Sequence, residues 1–377
     1  MDALLRAFLS CCVLVGTYTR TTSENDYRRR PKLLRTLSFV YPLLIMLLVL
    51  SSASHAVVQH NFEEGILLSS LVSTIVFVAQ VAAHCIVLLE ALVKREQHVM
   101  FHQRLAEIEE CLWLRLRQRA SRASRVRYLR CKYRSLCLLS VLGVCVFANF
   151  GSSYYWHILF SILAMRLRIF QLSLYVDYLE LFLAALNLKL QQLVVRKCNA
   201  PVYQLLDFDY KQLESIAYLQ AIKQTYTLIY EAFDLLNDFG GWSLFAIIAC
   251  YFLDMTLHVY WTLLALDGLM PCSTYISSTA ALMPLVVIVI ALSIGCNECK
   301  NALVNRLINT TTSSKPSYKD LLFEFALQLR HQPLLVTAKQ IFTFDIGLLM
   351  VICVSIATYL IVLIQFLKSE NGLNSKL

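Results

Sequence analysis

The sequence predicts an all-α polytopic membrane protein with seven transmembrane helices, an intracellular N-terminus and an extracellular C-terminus. Three observations carry this. Of the 377 residues, 58% are hydrophobic and only 16% charged, with a mean hydropathy of +0.59. Soluble domains sit nearer half apolar and a quarter charged. Apolar runs of bilayer-spanning length recur along the chain, and the last, Phe344 to Phe366, is long enough to cross as one helix. Lys and Arg gather before span one and after spans two, four and six, while the other short connections hold none. The positive-inside rule then sets the orientation. The net charge of +9 belongs to those flanks, so it is no argument for nucleic acid.

Residues 1–35 form a cytoplasmic N-terminus. Its apolar stretch, Ala3 to Gly16, is too short for a standard span and suits an interfacial or embedded helix. The basic run Arg28, Arg29, Arg30, Lys32 and Arg35 follows. Residues 36–295 carry spans one to six. Span one (36–54) contains Pro42, and span two covers 66–90. Residues 91–134 hold twelve Lys or Arg against four Glu. There Leu105, Ile108, Leu112 and Leu116 recur at helical spacing, which predicts long helices projecting into the cytosol. Their basic surface is open to solvent, to lipid headgroups or to calmodulin.

Span three (135–150) meets span four through the short turn Gly151-Ser152-Ser153. Span four begins with an aromatic cluster at Tyr154 and continues as one long helix to about Leu188. Residues 190–237 keep one apolar face through Leu213, Ile216, Leu219, Ile222, Tyr226 and Ile229. This predicts a further cytosolic helix, separated from span five (241–266) by a break at Gly240-Gly241. Span six covers 276–295, and an inner segment covers 296–343, with an amphipathic helix expected from Tyr318 to Phe342. Span seven occupies 344–366, and residues 367–377 form an extracellular tail. The sequon at Asn309 falls on the inner side, so no N-glycan is expected.

Some polar residues fall inside these spans. Asp254 lies mid-span, where a lone carboxylate must face a protein partner or a water-filled cavity. Arg166 or Arg168 supplies such a partner, either as a packing ion pair or in a ligand pocket. His258 and Trp261, four and seven residues on, share the helix face of Asp254. With Tyr154, Tyr155 and Trp156 they form either a mixed aromatic and polar ligand pocket or an ordinary aromatic belt. Asp345 reads as a cap for the last helix or as a gating contact. No HExxH, GxSxG or P-loop occurs, so neither enzyme activity nor a cofactor is expected. The CxxC at Cys296 and Cys299 has no second ligand pair, so no metal is expected there.

The final span adds more specific information. Thr358, Tyr359, Gln365 and Phe366 match the TYxxxxxQF signature of the insect gustatory receptors, and Leu321–Leu349 resembles the segment before that span in the same family. The resemblance implies a ligand-gated, non-selective cation channel for small organic tastants, leaning towards bitter compounds. It implies a homotetramer, or a heteromer with related receptors, in the plasma membrane of a chemosensory neuron's dendrite, permeated by monovalent and divalent cations. It further implies a cytosolic helical anchor domain (296–343 with the inner helix ends) and a pore-lining helix (344–366). Ile361, Val362, Gln365 and Phe366 then line or close the pore, while Thr358 and Tyr359 pack the helix. A non-conducting receptor or accessory subunit is the alternative, and a transporter a more distant one.

Overall fold

The computed structural model describes residues 3–17, 32–59, 67–116, 122–150, 157, 159–199, 216–268, 271–301 and 316–374. Its helices are α1 (Ala3–Leu14), α2 (Lys32–Gln59), α3 (Leu67–Val93), α4 (Arg95–Leu114), α5 (Arg122–Phe150), α6 (Leu159–Asn199), α7 (Ile216–Leu266), α8 (Cys272–Asn301), α9 (Pro316–His331) and α10 (Ile346–Asn374). Between α9 and α10 lies a two-stranded antiparallel ribbon, β1 (Thr337–Ala338) and β2 (Phe342–Thr343). The molecule is an all-α polytopic membrane protein apart from that ribbon. Among the described residues, six helices are long and apolar enough to cross a membrane: α2, α3, α6, α7, α8 and α10. The residues expected as the third span, 135–150, form the apolar half of α5.

Helix α7 is the centre of the molecule. It touches α3, α4, α6, α8, α9, α10 and β1, and it supplies much of the largest apolar core. Helix α5 packs chiefly on α8. Gly143 permits that approach, because a Cβ there would stand 2.7 Å from the Ala280 carbonyl oxygen and 2.8 Å from Pro284 Cγ. The short α1 lies against α6, with Leu9 and Cys12 buried and Phe8 edge-on to Tyr133.

Three expectations are corrected. Helix α7 runs unbroken through Gly240-Gly241. These glycines serve close approach instead: Gly240 abuts Leu172 of α6, and Gly241 abuts the backbone of Lys339 at the ribbon tip. The helix expected over Tyr318–Phe342 stops at His331. Pro333 disfavours helical backbone just before it, and the chain turns back through Lys339 and Gln340 at φ 49° and 61°. Helix α10 outlasts the expected span and continues to Asn374, since nothing in Leu367–Glu370 breaks it.

Candidate functional site

Two regions and the contact between them form the candidate site. The first is a cleft with about 380 Å³ of empty space, including its open mouth. It lies where the later part of α5, the start of α6, the later part of α7 and the first half of α8 come together. Gln80 of α3, Gly143 of α5, Arg166 of α6, Ala281 of α8 and the α7 face of Asp254, Leu257, His258 and Trp261 line it, with Val144 and Ile162. Helical spacing explains the α7 contribution, because residues four and seven apart fall on one side. Asp254 Oδ1 lies 3.3 Å from His258 Nε2, and the His258 ring meets Trp261 at 5.5 Å between centroids.

The structure therefore brings Arg166, Asp254, His258 and Trp261 to one cleft. It does not join Arg166 to Asp254 by an ion pair within 4 Å; the carboxylate faces His258, and Arg166 Nη1 donates to the Ser140 carbonyl at 2.9 Å. The guanidinium is instead tied to the backbone of α5. Gln80 Oε1 and Arg166 Nε are buried with no hydrogen-bond partner among the described residues. An acceptor and a donor left open in an apolar wall are costly until something polar meets them. Sequence reading missed Gln80 and Gly143. An amide inside an apolar span was the available signal for the first. Tyr154, Tyr155 and Trp156 lie outside the described residues.

The second region is α10. Ile352, Ile356, Leu360 and Leu363 recur at steps of three or four and pack inward. Tyr359 meets Phe252 of α7 edge-on at 5.7 Å, and Thr358 Oγ1 donates back to the Val354 carbonyl at 2.9 Å. The other face is apolar and open: Met350, Val354 and Phe366 expose 67%, 66% and 61%, so a single chain does not cover it. Ile361, Val362 and Gln365 lie on this open side. At the start of the helix, Asp345 Oδ1 accepts from the Leu348 amide at 3.1 Å, and Lys300 Nζ lies 3.1 Å from Oδ2.

The regions touch through α7. Leu257 and Trp261 line the cleft and also belong to the cluster on which Leu360 and Leu363 of α10 rest. Further along α7, Glu90 of α3 accepts the amides of Trp242 and Ser243 at 2.8 Å each and the Ser243 hydroxyl. Arg168 reaches the same place, donating to the Phe239 carbonyl at 3.0 Å and lying 3.8 Å from Glu90. Beyond it Asp238 is held between Lys94 and Lys339 at 2.9 and 3.0 Å. Cys296 and Cys299 are buried in the core as free thiols.

The comparisons agree with this architecture. A relative from Drosophila melanogaster named "Putative gustatory receptor 39b" is 28% identical over 341 residues, covering 87% of this chain and 92% of its own. Gustatory receptor 23a of the same organism is 27% identical over 235 residues, covering 58% and 60%. The solved structure of the insect olfactory receptor OR5 from Machilis hrabei in complex with eugenol superposes with a TM-score of 0.66 at 13% identity, covering 96% of this chain and 99% of that one. This last likeness speaks to the fold alone. The family model for the 7tm chemosensory receptors matches residues 5–370, nearly the whole chain. The chain belongs to the 7tm chemosensory receptor family.

Proposed function

We propose that this chain is a ligand-gated, non-selective cation channel that acts as a gustatory receptor for small organic compounds. The observation that carries the reading is the shared wall: Leu257 and Trp261 line the cleft and also belong to the apolar cluster against which Leu360 and Leu363 of α10 pack. A molecule that fits the cleft better when α10 has moved shifts the population towards that state. The eugenol-bound fold relative supports a small organic ligand. The open donor and acceptor at Arg166 and Gln80, beside Trp261, suit an aromatic compound with a hydroxyl or carbonyl group.

In this reading α5 is the third of seven spans, the N-terminus is inside and the cleft opens outward. Four chains meet through the open face of α10, and α9, the ribbon and the inner ends of α6 to α8 form the cytosolic anchor. Four Phe366 rings close the pore as an apolar constriction, which gates by dewetting, and Gln365 stands beside them to hydrate a passing cation. Thr358 and Tyr359 fix the helix to its neighbours. The channel lies in the plasma membrane, at the dendrite of a chemosensory neuron, and passes monovalent and divalent cations.

The test is whole-cell recording from cells expressing this chain alone, with bitter compounds and sugars applied and a C-terminal tag labelled from outside. Ligand-evoked cation current with an accessible tag is the expected result. An accessible tag without current in any condition moves the chain to the role of an accessory subunit. A tag inside the cell overturns the pore assignment.

A further inference from the structure

Helix α5 carries a surface whose chemistry changes abruptly along one line. Arg127, Arg130, Arg134, Leu138, Val141 and Cys145 follow one another at steps of three or four and are all exposed. They therefore form a single stripe. Its opposite side, Leu129, Tyr133, Leu136, Ser140 and Gly143, is buried against the bundle. The outward stripe is basic as far as Arg134 and apolar from Leu138, which is 67% exposed. Tyr128, also 67% exposed, stands beside its basic part. An exposed apolar stripe on a membrane helix faces lipid, so the same stripe one turn earlier faces the headgroup layer. Arg127 to Arg134 covers about 10 Å of helix, enough to run through that layer.

The neighbouring cations are already used. Lys132 Nζ lies 2.8 Å from Asp177, and Arg125 lies 3.9 Å from Glu180. Arg127, Arg130 and Arg134 have no ion pair or side-chain hydrogen bond among the described residues. Guanidinium groups present planar donor forks that match phosphate oxygens, and an aromatic ring beside them suits the membrane interface.

We propose that this stripe is a binding site for anionic phospholipid, with the three arginines on the phosphate and carboxylate groups and Leu138 and Val141 along the acyl chains. It rests on the reading of α5 as a membrane-crossing helix and on nothing in the pore or the cleft. Each arginine held at an anionic surface strengthens binding about fivefold.

The test uses the full chain in liposomes containing a photoactivatable phosphatidylserine or a photoactivatable phosphatidylcholine, present in both leaflets. Cross-linked peptides are mapped by mass spectrometry. Labelling of residues 127–145 is expected to be at least about fivefold stronger with the phosphatidylserine probe. The Arg127→Gln, Arg130→Gln, Arg134→Gln variant should label equally with both probes, and the corresponding triple Lys variant should keep the preference. Equal labelling of the unaltered chain, or a preference that survives the Gln variant, overturns the proposal. So does the absence of label from either probe, which marks the stripe as covered by protein. Neither channel activity nor orientation enters the readout, so failure of the channel reading leaves this result standing by itself.

Discussion

Glu90 grips Ser243 twice, accepting its backbone amide at 2.8 Å and its hydroxyl. Both residues are buried, and they lie on different helices 153 positions apart in the chain. Arg168 completes the arrangement from a third helix. Replacing Glu90 by Ala leaves the guanidinium and two amides without that acceptor. The loss is expected to be about 3–5 kcal/mol, read as a lower melting temperature and less monodisperse protein in detergent. The double variant Glu90→Ala, Arg168→Met removes both charges, and it should be more stable than the single one. If the two are equally unstable, the charges are not coupled.

Gly143→Ala tests the crossing of α5 and α8. The added methyl meets the carbonyl oxygen of Ala280, a backbone atom that cannot swing away. Overpacking of this kind costs about 1–3 kcal/mol. Thermal unfolding checks the stability, and an unchanged midpoint would show that the helices are farther apart than 2.7 Å implies.

Acid should weaken the part of the bundle where α4, α6 and α7 meet. The rings of His98 and His102 stack at 5.1 Å, and both reach the Tyr175 hydroxyl, at 2.8 and 3.1 Å. Burial lowers His102 from the ordinary 6.5 to about 4. Burial also lowers His98 well below 6.5, and the nearby His102 and Arg168 add to the effect. The folded state thus holds both rings neutral, while the unfolded chain takes up protons near pH 6.5. Their contribution is complete above that value and is lost as pH falls towards about 4. The melting temperature should drop between pH 7 and pH 5, and His98→Asn, His102→Asn should flatten that drop. A wild-type midpoint that holds across the range contradicts the buried neutral pair.

Two substitutions address the proposed function. Phe366→Ala widens an apolar constriction and should raise the resting cation leak; unchanged basal current at normal surface expression removes Phe366 from the gate. Asp254→Asn removes the charge facing His258 in the cleft. It is expected to raise the half-maximal ligand concentration about tenfold, the scale of one charge-assisted hydrogen bond. Loss of the folded protein instead would identify Asp254 as a packing residue.

The sequence was most readable where one short-range rule dominates. Apolar runs located six helices long and apolar enough to cross a membrane, and a spacing of four and seven put Asp254, His258 and Trp261 on one face, where the cleft holds all three. Rules of that kind work within a single helix. Gly240-Gly241 misled because local propensity favours a break there, while Leu172, Lys339 and Glu90 supply tertiary contacts that keep α7 continuous. The ribbon was missed because apolar residues on both sides of Pro333 imitate an amphipathic helix. Glu90 drew no notice as a lone carboxylate at the end of a span. Its partners are two backbone amides on another helix, and no spacing rule reaches that far.

The continuity of α7 has a mechanical consequence. At 1.5 Å per residue its 51 residues make a rod of about 76 Å, far longer than the hydrocarbon layer. Glu90 holds the rod at Ser243. His258 lies about 22 Å from that point on one side. Tyr226, whose hydroxyl donates to the Gln332 carbonyl at 2.6 Å, lies about 25 Å away on the other. The Glu90 contact therefore divides the helix between the cleft and the α9 contact into two nearly equal lengths. In a rigid helix pivoting at that contact, a sideways push of about 1 Å at the cleft would arrive at the α9 end as a movement of similar size and opposite direction.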